Sequence, residues 1–134
     1  MTDRRFWLGL AAYLVPTFPL GYFWHLSWFA PQYHQLEAYR PDVIIPLGLA
    51  SMIIQAALLS WLYPRLFGGA PGGWLAKGLK FGLLVGLFAW TLSTLAVGAK
   101  HVMTSVPLFV QLETAFTIVQ YAITGPLIAL AWRR

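Results

Sequence analysis

Long apolar blocks alternate with short polar connections along this chain. The blocks run from about Phe6 to Leu26, Val43 to Tyr63, Phe81 to Ala99 and Leu108 to Trp132. Each holds roughly 20 residues, the length a helix needs to cross about 30 Å of hydrocarbon. In hydrocarbon every backbone N–H and C=O must find its partner within the protein, so each block is predicted to be helical. The expected fold is all-α, a four-helix transmembrane bundle forming one domain over residues 1–134. A soluble bundle would need a polar face on every segment, and the first three blocks largely lack one. Arg4 and Arg5 precede the first block as they would in a secretory leader. However, "YLVPTFPLGYFWHL" is too long and too aromatic for one and has no clear small-residue cleavage site, so the block is expected to stay as a span.

The connections differ in character. "FGGAPGGW" carries four glycines and a proline in eight residues, which predicts a flexible joint between two helical hairpins. The first connection is more ordered. Pro31 suits the first turn of a helix, and "PQYHQLEAYR" meets no breaker before Pro41. A short helix lying in the membrane interface is expected there, with Tyr33 and Leu36 on one face and His34 and Glu37 on another. Trp24, Trp28, Tyr33 and Tyr39 would anchor it at headgroup level.

Two spans carry patterned faces. At 100° per residue, Gly86, Ala89, Ser93 and Ala96 fall within about 40° of Gly82, and Lys100 returns to the same face. This small-residue stripe, beginning at "GLLVG", predicts close helix packing, because lipid supplies no hydrophobic drive for helices to associate. In span four, Glu113, Thr117, Gln120 and Thr124 project within about 60° of one another. Such a polar stripe should face other helices or a wet cavity. Glu113 lies about 8 Å inside the block that begins at Leu108, counting 1.5 Å per residue. A carboxylate at depth costs about 2.5–3.5 kcal/mol on insertion scales, so it needs a partner or a proton. Lys100 is the first candidate partner and His101 the second. Thr17, Gln55, Gln120 and the carbonyls of Ala12 and Val15, which Pro16 and Pro19 deprive of their usual donors, are candidates to line a small polar interior.

Composition agrees with the pattern: 59% of residues are hydrophobic, 10% are charged, and the mean hydropathy is +0.67. A soluble domain carries about 25% charged residues. Charge adds a direction. Arg4, Arg5, Arg65, Lys77, Lys80, Arg133 and Arg134 fall on one side of the predicted spans, and only Arg40 and Lys100 on the other. By the positive-inside rule both termini face the cytoplasm, so the net charge of +5 is an orientation signal rather than a nucleic-acid footprint. The chain has no cysteine, which excludes disulfide exchange and thiolate chemistry.

His25, His34 and His101 then share the outer side with Glu37, Asp42 and Glu113. These donor types suit a transition metal or haem, and His25, His34, Glu37 and His101 are the candidate ligands. The chain contains no HxxxH or HExxH pattern to support them, no Gly-rich phosphate loop and no GxSxG. An enzyme is not expected.

"GLKFGLLVGLFAWTLSTLAV" followed by "ETAFTIVQYAITGPLIALAW" resembles the second half of small four-span bacterial membrane proteins of unknown function. The resemblance rests on glycine and small-polar placement within residues 78–132, and it implies a compact four-helix fold and no particular activity. Small multidrug transporters are of similar length but carry a glutamate in their first span. Here the one deep carboxylate is Glu113, in the fourth. The expected function is binding, or helping to pass, a small or lipid-like ligand in a cleft lined by Glu113, Thr117, Gln120, Thr124, Gln55 and Lys100 and open to the outer side. The chain would act as a homo-oligomer. The alternatives are an accessory subunit of a larger membrane complex, marked by an exposed small face on span three, and a metal- or haem-binding protein.

Overall fold

The computed structural model describes residues 3–40 and 42–133; Pro41, the expected stop of the first connection, and Arg134 lie outside the described residues. Helix α1 runs Arg4–Phe23 and continues through a π-turn at Trp24–Trp28. The short α2 spans Ala30–Leu36 and α3 spans Ile45–Phe67. Helix α4, Trp74–Trp90, passes through a second π-turn, Thr91–Leu95, into α5, Ala96–Lys100. Helix α6 spans Val106–Ala131. Among the described residues, four rods are long and apolar enough to cross a membrane: Arg4–Trp28, Ile45–Phe67, Trp74–Lys100 and Val106–Ala131. Lys77 and Lys80, which the sequence placed in a connection, stand on the first turns of α4.

Local chemistry sets the helix ends. The Asp3 side chain accepts from the Arg5 backbone N–H at 2.9 Å and caps α1. That hydrogen bond, with the Arg5 side chain beside it, holds the Asp3 carboxyl below its ordinary range. Ser105 caps α6 in the same way. In the glycine-rich joint, Gly72 has φ +104°, a conformation that side chains oppose.

Polarity is distributed inside out. Leu83, Phe88 and Val15 are 72%, 67% and 67% exposed, whereas Thr17, Ser60, Thr94, Gln120 and Thr124 are buried. Water would favour the reverse. The outer surface suits lipid, and the polar groups are sequestered between helices. Helices α1 and α6 pack against each other at the centre; α3 packs on α1 and α4 on α6. Helices α3 and α4 meet only near the end that carries the chain termini, where Tyr63 and Phe67 touch Phe81.

The two central packings use different devices. On α4 the small stripe lies against α6. A Cβ on Gly82 would overlap the Tyr121 carbonyl oxygen, and one on Gly78 would come within 2.9 Å of the Gly125 carbonyl oxygen. Backbones approach that closely only without side chains between them. The small face of span three is therefore buried over Gly78, Gly82 and Gly86. Beyond Gly86 the expected stripe is only partly kept: Ala89 and Ala96 are half-buried and Lys100 is exposed. Ser93 is exposed and Thr94 is fully buried in its place. The π-turn at Thr91–Leu95 accommodates an extra residue, which retards the helical phase by about 100° and exchanges the two positions.

On α1 the buried residues are Gly9, Tyr13, Thr17 and Gly21, each four apart, and His25 continues the series. The series drifts by about 40° per step, so it winds around the helix and meets two neighbours. Gly9 lies against Ser60 of α3 and Trp132 beyond α6, and Gly21 against Met52 and Phe116.

Candidate functional site

The end of the bundle remote from the termini is closed by the first connection. Helix α2 begins with Pro31 in its first turn and buries Tyr33 and Leu36. It stops at Leu36, short of the predicted Pro41, because Glu37 adopts the left-handed conformation with φ 55°. That turn sends Tyr39 back toward α6. The opposite connection latches the lid: Thr104 donates its backbone N–H to the Leu36 carbonyl at 3.0 Å and its hydroxyl to the Gln35 carbonyl. Beneath lie Phe109 and Leu112 of α6 in a shared apolar cluster with Tyr33 and Leu36.

Under this lid sits Glu113, 8% exposed. Tyr39 donates its hydroxyl to one carboxylate oxygen at 2.5 Å, and Tyr33 donates to the other at 3.3 Å. Trp24 in turn donates its indole N–H to the Tyr33 hydroxyl at 3.2 Å. His25 Nε2 lies 3.1 and 3.2 Å from the two carboxylate oxygens, and Nδ1 lies 3.0 Å from the Gly21 carbonyl oxygen. A carbonyl only accepts, so Nδ1 carries a proton. One further proton then bridges Nε2 and the carboxyl group, and the pair is neutral overall whichever atom holds it.

Rings enclose the pair. His25 lies 4.7 Å from Tyr33 and 4.7 Å from Phe116, centroid to centroid, while Tyr33 and Tyr39 stack at 5.4 Å. Tyr39 is 42% exposed along its ring although its hydroxyl points inward. Burial, and then the neighbouring Glu113 carboxyl group, pushes both phenols far above the ordinary tyrosine range, so both stay O–H donors.

Glu113 thus has partners other than those expected from sequence. Lys100 and His101 are exposed, and neither bonds to it. His25, one turn beyond Gly21 on the same winding series of α1, meets the carboxylate, whereas α5 ends with Lys100 on the surface. Trp24 and Tyr33, expected as interface anchors, turn inward, and Trp28 remains 61% exposed. The four candidate metal ligands also separate: His34, Glu37 and His101 are exposed, and His25 is committed to Glu113. Among the described residues no group of three metal-ligating side chains comes together, so the residues present do not fit a metal centre.

The rest of the span-four stripe divides. Thr117 donates to the Glu113 backbone carbonyl of its own helix at 2.8 Å. Gln120 donates to the Tyr13 hydroxyl at 2.9 Å; Tyr13 donates to Gln55 at 2.7 Å, and Gln55 to Ser51 at 2.9 Å. This relay crosses from α6 through α1 to α3. Gln55 and Gln120 are joined as expected, but through Tyr13, which sequence reasoning did not single out. Thr17 and Thr124 are buried with no hydrogen-bond partner for their hydroxyls among the described residues. The signal for Tyr13 and His25 was present as the four-residue spacing of Gly9, Tyr13, Thr17, Gly21 and His25.

No family model, curated protein or solved structure matches the chain.

Proposed function

We propose that this chain is a multi-pass protein of the bacterial inner membrane that binds, or helps to pass, a small or lipid-like ligand at Glu113. Both termini face the cytoplasm in this reading, by the seven-to-two distribution of basic residues across the spans. Helix α2 then lies in the outer interface as a lid. The observation that carries the reading is a buried carboxylate whose donors come largely from the lid segment, through Tyr33 and Tyr39. Lifting the lid removes two donors and exposes a carboxylate, an imidazole and two phenol rings to the outside. A ligand that presents a cation or several N–H or O–H groups would replace the lost donors, and the rings would favour an organic ammonium.

Mass spectrometry of small molecules retained in mild detergent tests this. A bound species in the native protein that is lost on Glu113→Gln supports it. Failure to retain any species, with no ligand-dependent thermal shift in either protein, would reduce the cluster to a structural latch.

A second reading has its own observation. From residue 42 to 55 every residue but Leu49 and Met52 is exposed, so the half of α3 nearest the lid is poorly covered, with Ser51 and Gln55 on that stretch. Polar side chains at that depth favour a protein neighbour over lipid, either a second copy or a subunit of a larger complex. Cross-linking from Gln55→Cys in the membrane separates these occupants from lipid alone.

A further inference from the structure

A groove of about 660 Å³ opens between the start of α1 and the end of α6, at the opposite end from Glu113. Its rim carries Asp3, Arg4, Arg5 and Arg133, and its wall continues along the bundle through Leu8, Ala12, Leu127 and Leu130. Three guanidinium groups against one carboxylate leave a net charge of two positive units there. The groups differ in their commitments. Arg5 is paired with Asp3 at 3.2 Å and lies 5.6 Å over the Trp132 ring. Arg4 and Arg133 make no ion pair among the described residues, and both side chains are exposed.

We infer that this groove is a binding site for one anionic phospholipid, with the phosphate held by Arg4 and Arg133 and an acyl chain laid along Leu8, Leu127 and Leu130. Two features choose a lipid over a free anion. The cationic rim stands at the end of helices long enough to span a bilayer, where headgroups lie. The apolar wall would give a free phosphate nothing to contact, whereas it matches a hydrocarbon tail. The volume is within the roughly 300–1,000 Å³ of ordinary ligand sites. Guanidinium suits the phosphate geometrically, because its planar fork donates two parallel N–H bonds to one anion.

The test measures binding of phosphatidylglycerol and phosphatidylcholine to the intact chain in mild detergent by native mass spectrometry. The native protein should retain phosphatidylglycerol preferentially. Each arginine is worth about fivefold, so Arg4→Gln with Arg133→Gln should weaken retention roughly 30-fold. Arg4→Lys with Arg133→Lys should keep part of the preference. Lys77→Gln with Lys80→Gln removes the same charge from the same end of the bundle and should leave retention unchanged. Ala131 also lines the groove, so Ala131→Phe fills the wall without touching charge and should also release the lipid. Equal losses from the lysine and arginine pairs would replace the site with diffuse attraction and overturn the proposal. Displacement of the lipid by inorganic phosphate at comparable concentration, or indifference to Ala131→Phe, would mark an anion site without a lipid tail and overturn it as well. The readout is independent of Glu113, so it stands or falls apart from the ligand reading at the lid.

Discussion

Replacing Glu113 by Gln is the most direct test of how the lid is held. The carboxyl group accepts from Tyr39 on one oxygen and from Tyr33 on the other, and shares a proton with His25 Nε2. An amide keeps one accepting oxygen and puts an NH₂ group where the second stood. That NH₂ faces either the Tyr33 or the Tyr39 hydroxyl, which must then turn its proton away to accept, and the proton shared between His25 and the carboxyl group is gone. One or two hydrogen bonds to the carboxyl group are therefore lost, at about 1.5–3 kcal/mol each, giving an expected destabilisation of about 1.5–6 kcal/mol. The loss should be concentrated at the lid, so amide exchange should quicken over Ala30–Leu36 and around Thr104, with much smaller changes in the Gly78–Gly86 contact. Unfolding in bicelles supplies the free energy. His25→Phe keeps a ring against Tyr33 and Phe116, and its double-mutant cycle with Glu113→Gln should show a coupling of about 0.5–3 kcal/mol. Lys100→Gln is the control, expected to change stability by less than about 0.5 kcal/mol. A Glu113→Gln effect as small as that control, with lid exchange unaltered, would refute the reasoning.

Gly82→Leu should force α4 away from the Tyr121 backbone and cost about 1–3 kcal/mol or more, seen as a lowered unfolding temperature. Tyr13→Phe removes the acceptor for Gln120 and the donor to Gln55, and should cost about 0.6–2 kcal/mol in bilayer unfolding. Glu37→Gly relieves a left-handed side-chain position and should stabilise the lid by up to about 1 kcal/mol, read as slower exchange at Leu36. Alkali should loosen the lid. An unfolded tyrosine ionises near pH 10, while Tyr33 and Tyr39 are held higher in the fold, so the unfolded chain binds fewer protons above that pH. The stabilisation from the two phenols is complete below about pH 10 and is lost as pH rises through their folded values. Tyrosinate absorbance and lid exchange should rise together.

Block length and apolar content were enough to locate four helices, because a segment in lipid must satisfy its own backbone and has no competing structure. The close approach of α4 to α6 was also legible, since glycines four apart have one face whatever the neighbour turns out to be. So was the need of Glu113 for a partner, which follows from charge and depth alone. The partner itself was not legible. Lys100 and His101 were nearer in sequence, but His25 reaches the carboxylate because α1 and α6 are central neighbours and the four-residue series of α1 ends against Glu113. The phase error at Ser93 and Thr94 has the same origin: 100° per residue holds only while the hydrogen-bond ladder is regular. The sequence by itself determined which segments are helices, which faces are small and which group must be neutralised, since these depend on local geometry and solvation. Only the tertiary structure decided which side chains meet across helices, which connection covers the carboxylate and where three arginines converge. Those outcomes depend on helix order and rotation, and contacts distant along the chain set both.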